Sequence, residues 1–77
     1  MTTTPGRVRL DSTTLAAAIY DDCHHRLHLE FCDGNRYTYS EVMPELFRGL
    51  LQATSKGSYF NRYIRGRFSY VKLGPEN

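Results

Sequence analysis

The chain has 77 residues, is 40% hydrophobic and 23% charged, and carries a formal net charge of +2. That length supports one small core and no second domain, which argues against an enzyme built around a deep cleft between lobes. The apolar content is too high and too regularly spaced for a disordered chain, and no apolar run approaches the ~20 residues of a membrane span. No signal-peptide pattern opens the sequence, and the expected compartment is the cytoplasm.

Residues 1–9 read as a flexible N-terminal segment, 10–73 as the folded domain and 74–77 as a flexible tail. Arg7 to Asp11 is a short extended stretch, and Asp11-Ser12-Thr13-Thr14 has turn composition. Leu15 to Tyr20 fits a strand despite its three alanines, and Asp21 to His25 is a polar connector. The clearest alternation follows, with Arg26, His28 and Glu30 on one face and Leu27, Leu29 and Phe31 on the other. Asp33-Gly34 supplies a hairpin turn, because both residues tolerate the positive φ it needs. Arg36 to Ser40 returns as a second alternating strand, with Tyr37 and Tyr39 on one side.

The hydrophobic period then changes. Met43, Leu46, Phe47, Leu50 and Leu51 recur every three to four residues, and Pro44 suits a first helical turn, so a helix is predicted from Pro44 to Ala53. Thr54 to Ser58 breaks it. Tyr59, Phe60, Tyr63 and Ile64 predict a second short helix, ended by Gly66. Phe68-Ser69-Tyr70-Val71 alternates and fits either a further strand or packed coil. The expected fold is α+β: a three-stranded antiparallel sheet, with a fourth short strand as an option, followed by two short helices packed on one face. Cys23 and Cys32 flank one strand, about 30 Å apart along an extended chain. A disulfide needs Cα atoms within about 7 Å, so both are expected as free thiols.

Charge is unevenly distributed. Residues 1–47 carry four arginines against seven acids, whereas from Arg48 onward six bases face only Glu76. Such a basic third points to an anionic partner, nucleic acid first. Its centre is Ser55 to Arg67. Lys56, Gly57 and Ser58 precede the apparent helix N-terminus, where free N–H groups favour anions. Arg62 and Arg65 neighbour each other at i and i+3, and Arg67 follows the glycine. Guanidinium groups match phosphate with paired hydrogen bonds. Lys56 precedes Gly57, the wrong order for a nucleotide-binding P-loop. The plainer alternative is a helix capped by Ser58 and solvated by its arginines.

Tyr37 and Tyr39 could stack on bases if they face outward. A two-residue turn at Asp33-Gly34 would put them beside His28 and Glu30 on the open face. A three-residue loop with a bulge at Gly34 would pair them with Leu27 and Leu29 on the core face, the expected outcome in so small a domain. Tyr59, Phe60 and Phe68 are expected in the core. Cys23, His24, His25, His28 and Cys32 lie in one loop and one strand, without the two-segment spacing of structural zinc, so no metal site is expected. No residue constellation supports a nucleophile or an acid–base pair, so no enzymatic activity, cofactor or small-molecule substrate is expected.

Asp11-Ser12, Tyr37-x-Tyr39, and Ser55-Lys56-Gly57-Ser58-Tyr59-Phe60-Asn61 followed by Ile64-Arg65-Gly66 together resemble the KTSC domain family. That family takes its name from the C-terminus of some lysyl-tRNA synthetases and also occurs as small stand-alone bacterial proteins. The resemblance spans Leu10 to Leu73 and is most specific from Ser55 to Arg67. The association with a synthetase suggests RNA, tRNA in particular, as the partner of a non-catalytic module. The residues expected to contact it, read from the charge and aromatic pattern, are Lys56, Gly57, Ser58, Arg62, Arg65, Arg67, Tyr37 and Tyr39. The alternative is a protein-interaction module docking through its sheet edge or tyrosine face.

Overall fold

In the computed structural model, which describes residues 6–73, the extended segments pair in chain order into one antiparallel meander. Its strands are β1 (Arg7–Arg9), β2 (Leu15–Asp21), β3 (Arg26–Phe31), β4 (Arg36–Tyr39) and β5 (Tyr70–Lys72). Helices α1 (Pro44–Gln52) and α2 (Lys56–Tyr63) lie between β4 and β5 in the chain. The sheet therefore has five strands, not the three or four that alternation predicts. β1 and β5 are only three residues long and exposed throughout: β1 falls in a stretch expected only to be extended, and β5 takes up the optional strand at Tyr70 and Val71. Each exists because a longer neighbour offers it an unpaired edge. Of the flexible ends expected over residues 1–9 and 74–77, residues 1–5 and 74–77 lie outside the described residues, whereas Arg7–Arg9 pairs with β2 as a strand.

The β3–β4 turn decides what faces the core. Phe31 N–H donates to the Asn35 carbonyl at 2.8 Å, leaving the three-residue loop Cys32-Asp33-Gly34, with Gly34 at φ 94°. Asp33 Oδ1 accepts the Asn35 N–H at 3.0 Å and braces the loop. The resulting register sets Leu29 opposite Tyr37 and Leu27 opposite Tyr39. Both tyrosines thus stand on the core face, as the bulged-turn reading expects. A two-residue turn would have sent every side chain of β4 to the opposite face.

Both helices cover that same face. Leu27, Leu29, Ala18 and Tyr39 from the sheet meet Leu50 of α1 and Phe60 of α2, with Val42 and Ile64 from the flanking segments. Tyr59 and Phe68 pack against this cluster partly buried, and the buried core of the described residues contains no charged side chain. Pro44 occupies the first turn of α1, where its missing N–H is harmless. Ser55 caps α2, its Oγ accepting the Ser58 N–H at 3.3 Å. This corrects the predicted start: Lys56, Gly57 and Ser58 form the first turn of α2 instead of preceding it, and the cap is Ser55, not Ser58. Cys23 and Cys32 are free and exposed.

The two helices approach closely at Gly49. Tyr59 lies over it and donates its hydroxyl to the Leu46 carbonyl at 3.0 Å. A Cβ on Gly49 would collide with that hydroxyl and stand 2.9 Å from Tyr59 Cζ. Gly49→Ala is therefore expected to destabilise the domain by about 1–3 kcal/mol, overriding alanine's better helix propensity. Thermal melts should show a drop of roughly 4–8 °C per kcal/mol in a domain of this size. In a Tyr59→Leu background the same change should cost measurably less. Equal costs in both backgrounds would rule out the contact as the cause.

Candidate nucleic-acid interface

Two helices of nine and eight residues do not cover the whole inner face of a five-stranded sheet. Beside α2, towards β5, a groove of about 510 Å³ stays open, lined by Phe31, Tyr37, Tyr39, Phe60 and Tyr70. Its polar lining includes Asn61, Arg65 and, from the β3–β4 loop, Asp33. The rings support one another in turn. Phe31 meets Tyr37 and Phe60 edge-on at 5.4 and 5.2 Å, and Tyr70 contacts both Tyr37 and Tyr39 at 5.6 Å between centroids.

The aromatic side chains differ in access. Tyr39 is 4% exposed and belongs to the core, whereas Tyr70 is 56% exposed and Tyr37 half-buried. Lys72 Nζ lies 6.0 Å from the Tyr37 ring centre, so a cation flanks the groove on the β5 side. Arg65 reaches Asn61 Oδ1 at 3.4 Å from the end of α2. Burial pushes the Tyr39 hydroxyl up to about 12; the nearby Tyr37 and Tyr70 add to the shift and Arg65 opposes it. A wall of half-open aromatic rings flanked by cations can hold a flat, electron-rich group while its charged attachments meet arginine or lysine.

The basic residues singled out in the sequence separate into three places. Arg65 and Gly66 reach the aromatic groove together with Tyr37 and Tyr39. Arg62 and Arg67 gather at the C-terminal end of α2, where Arg67 Nε donates to the Arg62 carbonyl at 2.9 Å. Arg62 lies 5.8 Å from the Tyr63 ring centre. Lys56, Gly57 and Ser58 occupy the other end of α2. There Lys56 Nζ turns back to the Ala53 carbonyl at 3.0 Å, completing the end of α1. Gly57 packs against Thr14, whose Oγ1 would stand 3.1 Å from any added Cβ. The depression in front of this turn is lined by hydroxyl groups and by Asp11.

Tyr70, Phe31 and Asn61 were not legible as groove residues. Tyr70 sits in a strand too short to announce itself, and Phe31 ends an alternating run that reads as core. The Phe68-Ser69-Tyr70 alternation was the one available signal. Among the described residues no three metal-ligating side chains come together. Asp21 instead pairs with His24 at 2.8 Å, an interaction that holds its carboxyl below its ordinary range.

Meander, helix pair and C-terminal edge strand define a small α+β domain. The chain belongs to the KTSC domain family, whose sequence model matches residues 11–68. It is similar to a crystal structure of a KTSC domain protein from Yersinia pestis, with a TM-score of 0.87 and 27% identity, covering 92% of this chain and all of that one. A protein from Tsukamurella paurometabola is 41% identical over 64 residues, covering 83% of this chain and 96% of the relative. A lysine–tRNA ligase from Nostoc punctiforme is 37% identical over 54 residues, 70% of this chain but 10% of the ligase.

The raised Tyr39 value has a stability consequence. An unfolded tyrosine ionises near 10, so keeping Tyr39 neutral supports the fold fully below about pH 10 and progressively less as pH rises towards 12. Tyr20 and Tyr59 are also pushed up by burial and contribute in the same direction. Urea unfolding followed from about pH 9 to 11 should show wild-type stability falling with pH, and Tyr39→Phe falling less steeply. Equal slopes would remove Tyr39 as a source of the alkaline loss.

Proposed function

We propose that this domain is a non-catalytic module that binds single-stranded RNA, with bases stacked on Tyr37 and Tyr70 and phosphates held by Arg65 and Lys72. The observation that carries this reading is the convergence of accessible tyrosine rings and Arg65 in one groove. Single-stranded RNA is held by this combination of stacking and cationic contact, and stacking tolerates any base. Arg62 and Arg67 extend the cationic track beyond Arg65 along the end of α2. Lys56, Gly57 and Ser58 serve the fold in this reading: the lysine closes α1, and Asp11 faces the depression in front of them. Similarity to a segment of lysine–tRNA ligases supports tRNA as the source of the single strand and a cytoplasmic setting. No helix among the described residues is long and apolar enough to cross a membrane.

A second reading has its own support. Tyr70 and Val71 of β5 are 56% and 61% exposed and Leu73 just beyond it 50%, on an edge strand to which a protein partner could add a strand. Binding through that edge would tolerate salt, whereas phosphate binding would not.

The test is fluorescence anisotropy with a labelled oligouridylate of about 8 nucleotides. Wild-type affinity is expected to fall with salt at a log–log slope of roughly −0.7 per phosphate contacted. Tyr70→Ala should lose about 1–3 kcal/mol of binding, and Arg65→Ala should make the salt slope shallower by roughly 0.7. Absence of wild-type binding at low salt, or full affinity in Tyr70→Ala, would overturn the reading.

A further inference from the structure

The strand register sorts charge in a way that the composition of the N-terminal half conceals. Residues 1–47 are acidic overall, yet all four of their arginines lie in strands: Arg7 and Arg9 in β1, Arg26 in β3 and Arg36 in β4. Since Leu27, Leu29, Tyr37 and Tyr39 face the helices, alternation and pairing put Arg7, Arg9, Arg26 and Arg36 on the opposite face. No helix among the described residues covers that face. Of the seven acids in this half, only Asp21 and Glu30 lie in strands, and both are engaged. Glu30 receives two hydrogen bonds from Arg7, at 3.1 and 2.9 Å, and Asp21 holds His24. Asp21 stands opposite Arg26 and Glu30 opposite Arg36, so four arginines face two carboxylates and the face keeps a surplus of two positive charges, spread over Arg9, Arg26 and Arg36.

We infer that this open sheet face is a second nucleic-acid surface, separate from the aromatic groove, and that it docks the phosphate backbone of duplex RNA. The spacing excludes a single small anion. Arg9 and Arg36 end one cross-strand row that runs through Ala17 and Glu30, about 14 Å apart at the usual strand separation. Arg26 lies four residues from Glu30 along β3, about 13 Å away. Three cations so widely spread match a repeated anion. Arg36 is also held in place by packing: its Nε is buried with no hydrogen-bond partner.

The chemistry of the face selects among polyanions and partners. Among its outward strand positions the one aromatic ring is the His28 imidazole, half-buried and tied to Thr38 Oγ1 at 2.8 Å, so the face has no open set of rings for the successive bases of a single strand. A duplex presents phosphates without unstacked bases and is recognised by shape and backbone. Protein interfaces draw their affinity from Trp, Tyr or Arg anchors clustered in desolvated pockets, whereas Arg9, Arg26 and Arg36 are dispersed over an open face. Here the floor is Ala17, fully buried, and half-buried Ile19, with Val71 exposed only at the β5 margin. The choice of RNA over DNA rests on the reading of the groove, since a folded RNA supplies a single strand and a helix together. The surface itself does not depend on the groove.

The experiment titrates the whole protein into a blunt RNA duplex of about 16 base pairs, a DNA duplex of the same sequence, and the short oligouridylate. Arg9 and Arg26 are exposed, so Arg9→Gln/Arg26→Gln should fold normally, as a melting curve will verify. This variant is expected to lose RNA-duplex affinity by roughly tenfold with a shallower salt slope, while oligouridylate binding is unchanged. Arg9→Lys/Arg26→Lys should restore part of the loss, and Tyr70→Ala should leave duplex binding intact. Wild-type duplex affinity retained in the glutamine variant, a preference for the DNA duplex, or displacement of the duplex by equimolar polyglutamate would each overturn the inference. Duplex binding by the wild type without oligouridylate binding would overturn only the groove reading.

Discussion

The arrangement depends on one backbone conformation. Gly34 at positive φ closes a three-residue loop between β3 and β4, and that loop length sets which side of the sheet Tyr37 and Tyr39 occupy. A residue with a Cβ resists that conformation, and a loop shorter by one residue would invert β4. With the bulged loop in place, the tyrosines join Leu27 and Leu29 under the helices. The side chains left outside are then Arg36 and Thr38, beside His28 and Glu30. One turn thus assigns the aromatic side chains to one face and a row of polar and charged side chains to the other.

The second determinant is a mismatch of areas. The inner face is five strands wide, but α1 and α2 are short and held close together by the Gly49–Tyr59 contact. Their closeness leaves the β4–β5 side uncovered. Phe60 is the boundary residue: 6% exposed, it meets Phe31 and Tyr39 edge-on and separates the closed core from the open groove. Beyond it, the same kind of aromatic packing continues in Tyr37 and Tyr70, now in contact with solvent. Core and groove are therefore one continuous aromatic cluster, so the question whether Tyr37 and Tyr39 serve core or surface has a different answer for each.

Charge follows the same logic. The run from Arg48 onward is basic in sequence, yet its members serve different ends in space: Lys56 completes a helix, Arg62 and Arg67 gather at a helix end, and Arg65 reaches the groove. Conversely, the N-terminal half is acidic in sequence but presents four arginines on one face of the sheet. Net charge along a chain averages over residues that folding sends in opposite directions, and period-two alternation does the sorting.

Much was legible in the residues themselves. Leu27, Leu29 and Phe31 alternate strongly enough to define β3, and the spacing of Leu46, Phe47, Leu50 and Leu51 defines α1, because both periods come from local backbone geometry. The Ser55–Arg67 run marked the family. What local geometry could not supply was the pairing that makes strands of the three-residue β1 and β5; the start of α2 is by contrast local, set at Ser55 by its cap on the Ser58 N–H, ahead of the predicted start. Tyr70, Asn61 and Phe31 entered the groove through contacts between segments far apart in the chain, and the arginine face arose from register across four strands. Local sequence set the period and polarity of each element; only the tertiary structure decided which elements met, because pairing and coverage depend on distances between residues that the chain keeps far apart.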